Sequence, residues 1–434
     1  VWFPVQDLLL SFSYRILPFF FVKGLLIFKE CLILIVLFLL ITEKMLSGKL
    51  QISYIELISI VYLWICVFYL FLSSSEYVPV LSVFTSFRSA ILPIVFMVTG
   101  YWLNINKSEL QFLLKIVFFM AVISVLFGII EIGVSVDKFW NGIFDLHGYL
   151  KNIKGFQEGI AGGLVNNVPG NFWGNVSVRR MAGTFASPLA LGYYLIVPIF
   201  FGITGMVKFK HRLFFTFVLS LGLLATETRA AIIVLAIAFF MYYFDLRSFL
   251  NLKFKKMFFV IIVLSAILFI AAFLCIYGFS DFISNTFLLK EGRSIGHANM
   301  LRTSLQNVKN TIFFGEGFGS AGGWASHQGS KVVGAGENAY FIIMYQIGGV
   351  GLALFLLWWV SVFYTLNSKS KSFLEEYWLS DVCRVLKCLG IAYFFTGFIS
   401  EQILTFSSVA HFWVLTGALL GMDLGAKKIL CEQY

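Results

Sequence analysis

Four arginines and one carboxylate carry most of the chemistry that this sequence can do. Arg180 stands in the stretch Arg179-Arg180-Met-Ala-Gly183-Thr-Phe185-Ala-Ser-Pro188, where a polar segment gives way to an apolar one. A guanidinium is a planar fork that matches phosphate oxygens in pairs. The plainer account is an arginine at a helix end, with its stem along apolar surface and its head in water. Arg229 lies in Thr226-Glu227-Thr228-Arg229-Ala230-Ala231, between two apolar runs with almost no loop. It either points into an outer vestibule or forms a salt bridge with Glu227 that locks a tight hairpin. Arg293 and Arg302 have a spacing that does not put them on one face of a regular helix, and for each alone a solvated surface charge is the plainer account. Glu337 precedes Asn338-Ala-Tyr340, at the return from a polar stretch to an apolar one. A carboxylate there can cap a helix N-terminus or take a proton.

Apolar helices must position these groups. Of the 434 residues, 59% are hydrophobic and 12% charged, whereas soluble domains carry about 25% charged residues. Apolar runs near the length of a membrane span occur at 25–42, 53–72, 82–103, 110–132, 185–206, 212–226, 229–245, 257–278, 338–365, 383–401 and 403–422. Residues 6–23 hold Arg15, Pro18 and Lys23 and read as an interfacial helix or a poor first span. The expected fold is an all-α integral membrane protein with about eleven or twelve transmembrane helices. It forms a single polytopic domain over 1–434, with long outer loops at 133–184 and 279–337.

Charge sets the orientation. Lys208, Lys210 and Arg212 form one basic cluster, and Arg247, Lys253, Lys255 and Lys256 a second. Lys369, Lys371, Arg384 and Lys387 form a third, and Lys427 and Lys428 close the chain. With the spans above, all of them fall on one side, which the positive-inside bias makes the cytoplasm. The formal net charge of +10 is thus expected to serve membrane orientation rather than nucleic-acid binding. Val1 is not a normal starting residue, no cleavable signal peptide is expected, and the first residues of the natural chain are expected to be missing.

Several motifs favour bland explanations. Gly317-Phe-Gly319-Ser-Ala-Gly322 matches G-x-G-x-x-G, but dinucleotide binding needs a strand before it and a helix after it, so a tightly turned loop is expected. No His, Cys or Asp grouping has metal-ligand spacing, and the six cysteines suggest neither a zinc site nor a disulfide framework. His147 and His327 are expected as exposed loop residues. Gly348 and Gly351 are expected to let helices approach closely.

Together and in order, these segments resemble the bacterial O-antigen ligase and polymerase superfamily. Ligases of that family carry H-[N/S/Q]-x9-G-x-x-G after their large periplasmic loop. Here Asn338 is followed by nine residues and then Gly348 and Gly351, with Glu337 at the histidine position. Arg180-x-x-Gly183-Thr-Phe185-x-x-Pro188, Thr228-Arg229-Ala230-Ala231 and Ile312-Phe-Phe-Gly315-Glu-Gly317-Phe-Gly319 resemble three further family segments, and the likeness covers roughly residues 75–422.

The resemblance implies a GT-C-like membrane glycosyltransferase in a bacterial inner membrane. Its substrate would be an undecaprenyl-diphosphate-linked glycan, and its products would serve lipopolysaccharide, capsule or exopolysaccharide. No metal or other cofactor is implied, and a polysaccharide chain-length regulator is a further suggested partner. Arg180, Arg229, Arg293 and Arg302 would hold the diphosphate, and Glu337 would serve the acceptor hydroxyl. Asn338, Tyr340, Trp173 and Trp324 would contact the glycan. The missing ligase histidine favours a polymerase over a ligase that transfers polymer to lipid A core. A transporter or flippase is the alternative of another class; it predicts internal repeats and mid-membrane charges, which the sequence lacks.

Overall fold

A computed structural model describes residues 2–46, 52–73, 77–135, 137–156, 170–173, 176–247, 302–307, 313–330, 336, 338–373 and 375–422. The helices are α1 Trp2–Ile16, α2 Phe19–Leu46, α3 Tyr54–Leu72, α4 Val80–Trp102 and α5 Lys107–Ile132. They continue with α6 Pro188–Thr204, α7 Arg212–Ala225, α8 Arg229–Arg247 and the short α9 Gly323–His327. The last three are α10 Ala339–Ser372, α11 Tyr377–Thr396 and α12 Phe406–Gly421.

Among the described residues, α2, α3, α4, α5 and α10 are long and apolar enough to cross a membrane, and α6, α7, α12 and Arg229–Phe244 of α8 are shorter apolar helices. The chain is therefore a multi-pass helical membrane protein. Each expected span has a helix except 257–278, which lies outside the described residues. A small antiparallel hairpin, β1 Gly170–Trp173 with β2 Val176–Val178, is the departure from an all-α chain.

Helix ends follow local chemistry. Ser53 caps α3 and Asn106 caps α5, each reciprocated by a glutamate three residues on (Glu56, Glu109). Ser187 caps α6, with Pro188 at its first position, where a missing N–H costs nothing. The core helix α6 is apolar on every face and buried along most of its length. Helix α2 lies at the edge, where Phe20, Phe28, Ile35 and Phe38 face outward as lipid-facing side chains do.

Among the described residues, α4 and α12 share the most extensive helix–helix contact. A Cβ on Gly417 would lie 1.9 Å from the Met97 carbonyl oxygen, and one on Gly421 would lie 1.9 Å from that of Tyr101. Gly417 and Gly421 form a small-xxx-small seam of the kind that lets membrane helices touch backbone to backbone.

Three expectations shift. Residues 6–23 are not one element: α1 ends at Ile16, Leu17 and Pro18 break the chain, and α2 starts at Phe19. Helix α1 carries Gln6, Asp7 and Arg15 within 15 residues and is not among the apolar helices. It packs on the first long segment, where Tyr149 donates to Asp7 (3.0 Å) and Asn152 donates to the Tyr14 hydroxyl (2.6 Å), in keeping with an interfacial helix. Arg384 and Lys387 do not sit in a loop, because α11 begins at Tyr377; Arg384 is buried there, beside Asp381 at 3.5 Å. The first long segment re-enters the bundle through a buried turn, Gly183–Phe185, before α6 begins at Pro188.

The two long segments meet at one end of the bundle. Gln328 donates to the Lys154 carbonyl (3.0 Å), and Phe156 packs against Trp324 and His327. At the other end Lys107 pairs with Glu376, Trp378 donates to Met206 O (3.1 Å), and Lys369 donates to Met422 O (2.7 Å). The connections that carry Lys208, Lys210 and Lys369 therefore gather away from the two caps.

Candidate functional site

The stretch holding Arg180 is built on a buried carboxylate. Glu131, fully buried near the end of α5, accepts from Trp140 Nε1 (2.9 Å), Ala182 N (3.0 Å) and Gly183 N (2.7 Å), and faces Arg179 at 3.4 Å. Arg179 also donates to Val134 O. Arg179 thus anchors the re-entrant turn, and Arg180 faces the α7–α8 hairpin. Its Nε donates to Thr226 O (2.9 Å) and its terminal nitrogen to Thr228 Oγ1 (3.3 Å). Met181 N donates to Ala225 O (2.8 Å), and Thr228 Oγ1 donates to Pro188 O (3.1 Å). Two motifs separated by more than forty residues form one hydrogen-bonded unit.

The hairpin is as tight as its sequence requires. Glu227 takes a left-handed backbone (φ 52°) and is buried, while Thr226 Oγ1 returns to Leu223 O (2.7 Å). Arg229 opens α8 and is half-buried. A cation at a helix N-terminus opposes the macrodipole, and the exposed N–H groups there favour an anion. Arg229 at that point is suited to hold an anion that both the side chain and the helix end attract.

A second pair of motifs also docks. Helix α10 is broken at Gly348 (φ 72°, ψ 179°). The break diverts carbonyls that an unbroken helix would use, and the second long segment takes them: Glu316 N donates to Tyr345 O (2.7 Å) and Gly317 N to Gln346 O (3.0 Å). A Cβ on Gly348 would fall 2.1 Å from Phe313 O, and one on Gly315 would fall 2.7 Å from the Gln346 backbone. Gly348 therefore serves a break and a dock; at Gly351 the close neighbour is Ile347 of its own helix. The Gly317–Gly322 run lies in a turned loop with no flanking strand described, ahead of the five-residue α9, and its backbone is spent on docking: Phe318 N reaches Ser73 Oγ (2.7 Å).

Under this loop lies a small cleft of mixed lining, with Ser86, Gln346 and Glu401 beside Ala90, Ile342 and Ile343. Glu401 accepts from Gly323 N (2.8 Å). The sequence reading gave Glu131 and Glu401 no role, although each is a lone carboxylate at the end of an apolar run.

The expected site residues fare unequally. Trp324 is half-buried beside the cleft, within reach of a ligand. Asn338 is the N-cap of α10: its Oδ1 accepts from Tyr340 N and Phe341 N (both 3.0 Å), and its Nδ2 donates to Phe398 O (2.7 Å). Tyr340 is buried, its hydroxyl donating to Phe394 O (2.5 Å). Both are committed to holding α10 against the end of α11 and the chain just beyond it. Arg302 is exposed on the helical stretch 302–307. Trp173 lies on β1. Glu337 and Arg293 lie outside the described residues, but the neighbours of Glu337 are fixed, since Gly336 N donates to Ser304 Oγ (3.0 Å) and Asn338 caps α10.

His327 is not the exposed loop residue expected from sequence. It packs on Phe156 at 5.0 Å, and burial lowers its pKa from 6.5. Its folded pKa is below its unfolded value, so as pH falls through 6.5 the unfolded segment takes up protons that the docked one refuses. Contact between the two caps should loosen on acidification. Amide exchange over 323–330 is expected to quicken below that pH, and His327→Gln should flatten this response; an unchanged profile in the variant would assign it elsewhere.

No known family model matches this chain, and a search of curated proteins finds no match.

Proposed function

We propose that this chain is a membrane glycosyltransferase. It joins oligosaccharide repeat units carried on undecaprenyl diphosphate into O-antigen, capsule or exopolysaccharide, at the outer face of a bacterial inner membrane. The observation that carries the reading is the pairing of the motifs behind the family resemblance. Arg180 is bonded to the Thr226–Thr228 turn, and the Glu316–Gly317 backbone is bonded to the carbonyls at the Gly348 break. Residues far apart in sequence are joined pairwise, at the end of the bundle that bears both long segments.

The chemistry suits that end. A lipid diphosphate lies at the membrane surface with its chain among helices. Arg229, at the start of α8, binds the phosphates together with Arg180, and their positive charge stabilises the diphosphate as it leaves. The acceptor hydroxyl oxygen attacks C1 of the donor sugar. The C1–O bond to phosphate breaks, the polyprenyl diphosphate departs with the bonding pair, and Glu337 takes the hydroxyl proton. Trp324 offers a flat apolar face to a sugar ring. Glu337 at the ligase histidine position favours polymerase over ligase. Broken helices also occur in transporters, but the carbonyls at Gly348 are occupied by backbone N–H groups rather than left to coordinate an ion.

A strain lacking the gene is expected to accumulate glycan of a single repeat. Full-length polymer stranded on the lipid carrier would instead mean a ligase. Complementation with Arg180→Lys or Arg229→Lys should restore polymer poorly, by about tenfold or more below wild type, because an ammonium cannot reproduce the fork. Normal polymer from both variants at matched expression would make these arginines structural charges only.

A further inference from the structure

The cleft beneath Gly322 and Gly323 has a volume of about 30 Å³, room for about two water-sized occupants. It lies where the second long segment meets α4, α10 and the turn before α12. Part of its lining is apolar. The rest, apart from the Trp324 ring, presents oxygen: Ser86 and Ser89 of α4, Gln346 of α10, and Glu401 and Thr405 of the turn.

Several of these oxygens are left over by the fold. Gln346 is 3% exposed and spends its Nε2 on Ala321 O (2.9 Å), which leaves its Oε1 without a hydrogen bond among the described residues. Ser86 is 6% exposed, and its hydroxyl makes no hydrogen bond among the described residues. Pro93, inside α4, has no N–H to give to Ser89 O. Buried acceptors without donors are costly, the more so in a membrane helix. Glu401 adds charge, and the loop backbone is drawn against it: Gly323 N donates to it at 2.8 Å, and a Cβ on Gly323 would fall 2.5 Å from its Oε1. The cleft is thus closed around acceptors.

We propose that this cleft binds a sodium ion, which fastens the second long segment to α4 and α10 beside Trp324. Its ligands are drawn from the Glu401 carboxylate, Gln346 Oε1, Ser86 Oγ, Thr405 Oγ1 and Ser89 O. Hard cations select oxygen ligands of this kind. Carbonyls released from helix pairing coordinate sodium in other membrane proteins. The oxygens on offer fall short of the about six to eight that calcium takes, and one carboxylate among neutral oxygens suits a monovalent ion. The site stands on the cleft alone and does not depend on the polymerase reading.

The test is thermal melting of the purified full-length protein in detergent, in sodium chloride against choline chloride at equal ionic strength, beside equilibrium binding of radioactive sodium. The expected result is a melting temperature that rises with sodium and saturates, as ligand binding to the folded state requires, and saturable sodium binding. Glu401→Gln keeps an oxygen for Gly323 N but removes the charge, and Ser86→Ala removes one ligand and little else. Each should weaken sodium binding by about tenfold or more and shrink the sodium-dependent rise, whatever its melting temperature in choline. Variants that melt lower by the same amount in both salts would make these side chains structural only and overturn the proposal. A wild-type protein that melts alike in sodium and choline would mean a cleft filled by water and would also overturn it. Protection by calcium in place of sodium would overturn the choice of ion. Sodium accumulating inside sealed vesicles would overturn the fastening role and favour a transporter over a polymerase.

Discussion

Gly417→Val is expected to abolish accumulation of folded protein. A Cβ at this position would stand 1.9 Å from Met97 O and 2.8 Å from Tyr101 N, and both are backbone atoms of α4. Nothing there can swing aside, so α4 and α12 must separate. The seam on either side is equally close, since a Cβ on Gly100 would fall 2.4 Å from Val414 O and one on Gly421 1.9 Å from Tyr101 O. Overpacking of this kind costs about 3 kcal/mol or more, a large share of the about 5–15 kcal/mol that holds a typical domain together. Gly24→Val is the control, because no atom lies within 4 Å of a Cβ built there. Size-exclusion profiles and melting curves in detergent should show aggregation or a large fall in melting temperature for Gly417→Val alone. A wild-type melting curve for that variant would mean the α4–α12 contact is looser than described.

Glu337→Gln is expected to lower the polymerisation rate by about 10²-fold or more, the usual contribution of a general base, while leaving the protein folded. The simplest competing role for this carboxylate is capping α10. The cap is Asn338, whose side chain accepts both Tyr340 N and Phe341 N. The first turn of α10 therefore has its hydrogen bonds without Glu337. The contrast is Asn338→Ala, which should cost about 1 kcal/mol of stability and lower the rate only as far as α10 moves. Rates measured on lipid-linked repeat units, beside melting curves, separate the two. If Glu337→Gln turns over normally, the carboxylate is a dipole partner, and Glu401, in the cleft beside Trp324, is the next residue to test.

The spans were legible because a membrane leaves little choice. Every backbone polar group must be paired within the segment, so a long apolar run becomes a helix whatever its neighbours. Thus 53–72 returned as Tyr54–Leu72 and 212–226 as Arg212–Ala225. Ends were less legible where the deciding contact lay far away. Lys23 and Pro18 obscured the start of α2, and the charges of α11 hid its first two turns. Gly348 reads equally as a packing glycine or a break; only the arrival of Phe313–Gly317 decides it. Arg180 and Thr226–Arg229 were legible as unusual polar stretches at the ends of apolar runs, but the direct bond between them was not, because no spacing rule links residues across a bundle. Glu131 and Glu401 were overlooked because a lone carboxylate at the end of an apolar run gives no periodic signal. Gly417-x-x-x-Gly421 did give one and was read only as part of an apolar span.

The most direct test of the central claim is polymerisation by the purified protein in vesicles containing repeat units on undecaprenyl diphosphate as the only substrate. The account predicts a ladder of glycans that lengthens one repeat at a time, with undecaprenyl diphosphate released in step, and loss of that ladder in Arg229→Lys. Repeat units that stay single and intact, or that cross the membrane unchanged, would contradict it and leave a transporter as the better description.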